Sequence, residues 1–374
     1  MHAHGGPTYT GTLPIASARA LSYHGGLGTT APPQRTRLAS TLDIGGALHP
    51  FARPSRMQIL TPSQTEHHLP LPALLTALEQ WFIEGCEVPL RHNHAITSPN
   101  ADDSGILLIM PAWRPSQYLG VKTVSIFPGN HQRGLPGLHS VYILYNAATG
   151  QPLAVLDGDA ITSRRTAAAS ALAARWLSRP DAQKLLVVGS GRVASLLPEA
   201  YRCVRDIQSI EVWNRNPASA HALVERLRAQ GMNAQHAPDL EAAVRRADIV
   251  SCATLSTAPL IRGEWLQPGT HLDLIGSFTP AMRESDGECL RRATVFTDTT
   301  EALMKAGDLL GAIEEGAWAK DQLAATLEQL CRSQHPGRRS AEEITLFKSV
   351  GSALEDLAAA SLAYDGWLNH PHHA

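Results

Sequence analysis

The chain has 374 residues, 44% of them hydrophobic and 18% charged, enough to build two domains around sizeable cores. With 32 Lys and Arg against 34 Asp and Glu the formal net charge is −2, which argues against a nucleic acid or an anionic membrane surface as partner. No apolar run approaches bilayer length, and the five cysteines (Cys86, Cys203, Cys252, Cys289, Cys331) are scattered without C-x-x-C spacing, as expected of a reduced, cytoplasmic protein.

Residues 1–56 are rich in Gly, Pro, Thr, Ser and His and hold one acid, Asp43, against five arginines. They read as a disordered extension, resembling a transit peptide or lying upstream of a true start at Met57. Regular patterning begins there. Pro70 to Glu84 spaces Leu74, Leu75, Leu78 and Phe82 as an amphipathic helix. Val88 to Arg91 is extended, and His92 and His94 form an H-x-H that lacks a third metal ligand of suitable spacing, so no metal is expected. Gly105–Met110, Leu119–Phe127, Ser140–Tyr145 and Pro152–Leu156 read as strands, and Asp159 to Ser178 as a long alanine-rich helix. These residues, 57–178, form a β-rich α+β domain.

A second domain, 179–335, opens on Lys184 to Asn216. Apolar Leu185–Val188 runs into Gly189-Ser190-Gly191, Ala194 follows three residues later, and a helix with Ala194, Leu197, Ala200, Tyr201 and Val204 on one face leads to a second apolar run. Strand, glycine turn and helix in that order suit a dinucleotide: Gly189 and Gly191 let the chain turn, and the N–H groups of Arg192 and Val193 face a pyrophosphate. The second strand ends in Asn214-Arg215-Asn216, with no acid for a ribose. Arg215 offers a planar cation for a 2′-phosphate, which favours NADPH while leaving NADH open. Alternation continues with helices at Asn216–Gln230 and Asp239–Arg245 and strands at Ala247–Ala253, Gly269–Ile275 and Ala293–Thr297, so a Rossmann-type, doubly wound parallel sheet is expected. Thr254, Ser256 and Ser277, in loops after two of these strands, are candidate neighbours of the ribose and nicotinamide. Helices are expected at Thr300–Leu310 and Asp321–Leu330. The segment 336–374 ends in a helix from Val350 to Tyr364, expected to pack back on the first domain.

Together GVKTVSIFPGN (Gly120–Asn130), LDGDAITSRRTAAASALAAR (Leu156–Arg175), VVGSGRVA, VWNRN, ADIVSCATLSTAPL, HLDLIGSFTPAMRE and ITLFKSVGSALEDLAAA resemble the ornithine cyclodeaminase/μ-crystallin family, in family order from Met57 to Tyr364. The wording is most similar to that of bacterial ketimine reductases. The resemblance implies a homodimer whose β-rich domain binds substrate and dimerises. It also implies that Arg91 and Arg165 bind a carboxylate and that Lys122 is the active-site lysine. Arg165 is further expected at a helix N-terminus, where free N–H groups would add to its pull on an anion. Its neighbour Arg164 is expected at the surface. The family's cyclodeaminases carry an acid in the loop that here reads Gly276-Ser277-Phe278-Thr279-Pro280; the matching position, Phe278, has no proton chemistry.

The resemblance implies reduction of a cyclic imino acid, Δ1-pyrroline-2-carboxylate to L-proline or Δ1-piperideine-2-carboxylate to L-pipecolate, with NADPH as the reductant that Arg215 favours. The alternatives are an alanine-type amino-acid dehydrogenase, an ornithine cyclodeaminase and a non-catalytic, crystallin-like NADPH-binding protein.

Overall fold

The structure, a computed structural model, describes residues 56–370; the expected extension, Arg56 apart, and the last four residues of the chain lie outside them. Among the described residues no helix is long and apolar enough to cross a membrane, and all five cysteines are free.

The first half builds a curled sheet backed by helices. In chain order come β1 (Gln58–Ile59), α1 (Pro62–His67), α2 (Leu71–Glu84), β2 (His92–Ile96), β3 (Gly105–Trp113), β4 (Tyr118–Ile126), β5 (Leu138–Asn146), β6 (Pro152–Asp157) and α3 (Gly158–Leu177). Strand order is β1-β6-β5-β4-β3-β2, antiparallel except where β1 joins β6. Side chains alternate across each strand. Met110, Ala112, Tyr118, Lys122, Val124, Tyr142 and Leu144 point inward and are buried. The opposite face, with His92, His94, Ile96 and Val141, is open.

The second half holds β7 (Lys184–Val188), α4 (Arg192–Arg202), β8 (Ser209–Trp213), α5 (Pro217–Ala229), β9 (Ala234–His236), α6 (Leu240–Arg246), β10 (Ile249–Cys252), β11 (His271–Leu274), α7 (Gly287–Arg292), β12 (Thr294–Thr297), α8 (Ala302–Lys305), α9 (Gly307–Glu314), β13 (Leu323–Thr326), α10 (Leu327–Cys331), β14 (Thr345–Lys348) and α11 (Ala353–Asn369). All eight of its strands are parallel, in the order β13-β12-β14-β11-β10-β7-β8-β9. From β7 the chain winds outward to β9, then returns to lay β10 on the other side of β7. That reversal opens a crevice at the carboxyl ends of β7 and β10, where ligands of such sheets bind.

Several expectations change. The single helix expected at Thr300–Leu310 is broken into α8 and α9 at Ala306, which is extended. Asp321–Leu330 is a strand, β13, followed by the short α10. The boundary at 336 is crossed, because β14 lies between β11 and β12 in the parallel sheet, and only α11 returns to the first sheet. An apolar run such as Thr345–Lys348 can complete a parallel sheet from a distance in sequence.

One helix, α3, packs against elements of both halves. α3 is buried on nearly every face, and its alanines from Ala167 to Ala174 let α2, α4 and α11 approach closely. Its carboxyl end is capped by Arg205, whose Nη2 donates to the carbonyls of Ala174, Arg175 and Ser178 at 3.0, 2.8 and 2.9 Å, satisfying groups a helix end leaves orphaned. Asp273 on β11 accepts from Ser170 of α3 (3.2 Å), Tyr201 of α4 (2.8 Å) and Ser251 of β10 (2.5 Å).

Candidate active site

The glycine turn sits in the crevice. Gly189 has φ +119, and a Cβ there would lie 2.5 Å from the carbonyl oxygen of Ala253, so only glycine lets β7 and β10 close up. Around Gly191 nothing lies within 4 Å of where a Cβ would stand, and α4 begins at the next residue. Open space beside the free N–H groups of Arg192 and Val193 fits a pyrophosphate. A cleft of about 460 Å³ continues from there, lined by Trp213, Asn214, Arg215, Thr254 and Ser256 among others.

Asn214 donates to Ser190 Oγ and accepts from Asn216 N–H (3.1 Å), while Asn216 caps α5 through Ala218 N–H (3.1 Å). The two asparagines therefore shape the turn that presents Arg215, which is exposed. Glu211 is spoken for by two 2.7 Å contacts from Arg246, away from any ribose position. The Arg192 side chain reaches Asp159 at the start of α3 (2.8 Å) and so ties the glycine turn to the other half of the molecule.

Thr254 and Gly276, in the loops after β10 and β11, are braced by Glu284. Its Oε1 accepts from Thr254 N–H (2.7 Å) and Oγ1 (2.8 Å), and its Oε2 from Gly276 N–H (2.7 Å). Ser277 differs from expectation. Its side chain is fully buried, donating to Met282 O (2.7 Å) and accepting from Asp308 N–H (3.1 Å), so it holds the loop and offers no hydroxyl to a ligand.

The three expected cations meet along the same carboxyl edge, where loops leave β12 and β14. Lys122 of β4 is 3% exposed, with Nζ 2.6 Å from Asp356 Oδ2 and 3.3 Å from Thr162 Oγ1. Arg165 lies 2.9 Å from Asp356 Oδ1 and 2.8 Å from Glu355 Oε2. Arg91 donates to Gly351 O (3.0 Å) and faces Glu301 at 3.4 Å. Gly351 has φ +74, and a Cβ on it would sit 2.6 Å from the Arg165 guanidinium nitrogens. Only glycine lets that loop lie between the two arginines. The loop is fixed by buried Asp298, which accepts from Val350 N–H (2.7 Å) and Gly351 N–H (2.6 Å).

Burial pushes Lys122 down to about 8, against the pull of Asp356. Burial also pushes the Glu355 carboxyl up, with Arg165 opposing. For Asp356 burial is outweighed by Lys122 and Arg165, which hold it below its ordinary value.

Arg165 is not at a helix N-terminus. α3 begins at Gly158, so Arg165 lies about two turns in and its pull is that of its guanidinium alone. Arg164 is half-buried rather than at the surface, donating to Leu69 O at 2.7 Å. His92 and His94 stack in parallel with ring centroids 6.3 Å apart, and among the described residues no group of three or more His, Cys, Asp or Glu side chains could hold a metal. Sequence reasoning missed Asp356, Glu355, Asp298 and Glu301. The signal for the first two was present: adjacent acids inside the apolar Leu354–Ala360 stretch, where charge persists only if paired.

Residues 56–370 match the ornithine cyclodeaminase/mu-crystallin family. The chain is 36% identical over 308 residues to the Δ1-pyrroline-2-carboxylate reductase of Colwellia psychrerythraea, covering 81% of this chain and 97% of that one. Among solved structures it is similar to the Δ1-pyrroline-2-carboxylate reductase of Thermococcus litoralis in complex with NADH and L-proline (32% identity, TM-score 0.79, 84% and 98% of the two chains). It is also similar to an archaeal alanine dehydrogenase dimer with bound NAD (31%, TM-score 0.78, 85% and 98%). The chain belongs to the ornithine cyclodeaminase/mu-crystallin family of NAD(P)-dependent oxidoreductases.

Proposed function

We propose that the protein reduces cyclic ketimine carboxylates, Δ1-pyrroline-2-carboxylate to L-proline and Δ1-piperideine-2-carboxylate to L-pipecolate, with NADPH, as a cytoplasmic homodimer. The observation that carries this reading is the convergence of Arg91, Lys122 and Arg165, from three separate elements, on one nearly buried spot at the carboxyl edge. Guanidinium groups suit a carboxylate, and two of them fix which face of a planar imine turns to the cofactor. A nicotinamide dinucleotide in the crevice supplies a hydride to the imine carbon.

Gly189, Gly191 and the N–H groups of Arg192 and Val193 hold its pyrophosphate, and Arg215, presented by Asn214 and Asn216, its 2′-phosphate. Thr254 and Ser256 border the remaining cleft. Lys122 keeps its proton beside Asp356 yet gives it up more readily than an ordinary lysine, so it places positive charge at the imine nitrogen and can protonate it. Phe278 and the lack of any Asp or Glu from Gly276 to Met282 leave ornithine deamination without its acid. A clamp of paired, buried cations has no use in a mere cofactor-binding protein. The likeness to an archaeal alanine dehydrogenase supports a second reading, reductive amination of pyruvate, by the same three cations. Support for the homodimer comes from the open face of the six-stranded sheet, where Ile96 and Val141 are exposed, and from that dimeric relative.

The test compares initial rates with the five- and six-membered cyclic imines, with pyruvate plus ammonia, and for ammonia release from L-ornithine. Rates highest with a cyclic imine support the proposal. Turnover confined to pyruvate plus ammonia, or to ornithine, replaces it.

A further inference from the structure

The clamp's cations do not have equivalent partners. Lys122 and Arg165 are held at 2.6 to 2.9 Å by Asp356 and Glu355, whose side chains are 0% and 1% exposed. Those acids open α11, which is buried on successive faces as far as Tyr364, so neither can swing away. Arg91 is held differently. Its acid, Glu301, precedes the one-turn α8, keeps 22% of its side chain exposed, and stands 3.4 Å away. Glu301 is also gripped by Lys305, one turn along. Of the three acids it has the longest contact, the most solvent and a second cation to retreat to. A carboxylate arriving at Arg91 therefore displaces Glu301 and leaves the other two in place.

The local charges set a limit on what can arrive. Arg91 and Lys305 stand around Glu301, and buried Asp298 adds a second negative charge near Lys305. One incoming carboxylate can take Arg91 from Glu301, which keeps Lys305. A second would face the Glu301 carboxylate with no cation left to take it, in a site shielded enough for like charges to cost affinity. We propose that Glu301 is an internal stand-in for the substrate's carboxylate at Arg91, and that, retained by Lys305, it restricts the site to substrates bearing a single carboxylate. This rests on the reading of Arg91, Lys122 and Arg165 as a carboxylate clamp.

The test measures dissociation constants by calorimetry on the full chain, with the dinucleotide that supports turnover present in its oxidised form. The probes are pyrrole-2-carboxylate, planar and not reducible, and pyrrole-2,5-dicarboxylate. Glu301→Gln keeps the shape and removes the competing charge. It is expected to bind the monocarboxylate about two- to fivefold more tightly than wild type, the scale of one partly exposed ion pair, and to admit the dicarboxylate that wild type refuses. Lys305→Gln leaves Glu301 with Arg91 alone, so it is expected to weaken monocarboxylate binding. A merely loosened site would weaken binding in both variants; opposite signs would not arise that way. If wild type binds the monocarboxylate and Glu301→Gln binds it no more tightly, the stand-in role falls and the clamp stands. If no form binds it, the clamp reading falls as well.

Discussion

Lys122 carries an ammonium into a place nearly closed to water, and it stays charged there because Asp356 stands 2.6 Å away. Its value of about 8 lies below that of a free lysine, so the protonated form is lost as pH rises through that point. Imine reduction that needs this proton is expected to lose kcat/KM above pH 8. Lys122→Arg, which stays charged, should remove that limb from the profile. Lys122→Met should lower kcat/KM by roughly 10²- to 10⁴-fold at neutral pH. A pH profile of the three proteins checks both points.

Arg215 lines the cleft at some distance from the three cations, and its proposed role can be tested separately. It is exposed, on a turn shaped by Asn214 and Asn216. Arg215→Ala should raise KM for NADPH by about tenfold, the loss of one charge-assisted contact, and leave KM for NADH nearly unchanged. Equal effects on both cofactors would mean that Arg215 does not read the phosphate. At this scale the sequence carried the cations but not their partners. Arg91, Lys122 and Arg165 stand in motifs of their own, whereas Glu301 and Asp298 sit in an unremarkable TDTTE run. Only the return of β12 and β14 to neighbouring positions brings that run to the clamp.

Among the elements, α3 and α11 matter most, because one carries Arg165 and the other the acids that neutralise it. Asp356 takes two cations at once in a buried place. Asp356→Asn leaves both underpaired, and breaking a buried pair from one side costs about 3–5 kcal/mol. Denaturant titration of the variant should show that loss, and a loss below 1 kcal/mol would mean that water reaches the clamp freely. Long patterned elements such as α2, α3 and β3 to β6 were legible in the sequence, since period and length agree there. β13 was not: Leu323-Ala-Ala-Thr favours helix by composition, and the edge of the parallel sheet overrides it. Likewise the three-residue β9 has too little length to show a period.

Over the whole molecule, two halves meet through α3, and the loops at the carboxyl edge of the parallel sheet face the three cations. The open face of the six-stranded sheet, with Ile96 and Val141 exposed, is expected to be covered by a second copy of the chain. Sedimentation should therefore give a dimer. Val141→Lys, which puts a charge on that face, should shift it toward monomer, and an unchanged dimer would place the contact elsewhere. Of this larger organisation, the order of the two halves was readable from the alternation of strands and helices. The crossing of β14 into the second sheet was not, because pairing partners far apart in sequence leave no local mark.

The most direct test mixes the protein with NADPH, adds Δ1-pyrroline-2-carboxylate, and follows the nicotinamide absorbance while L-proline is counted. The account predicts one L-proline formed for each NADPH oxidised, at a turnover on the order of 10 s⁻¹ and faster than with NADH. Bound NADPH that stays reduced in the presence of the cyclic imine, while pyruvate and ammonia oxidise it, would contradict the account.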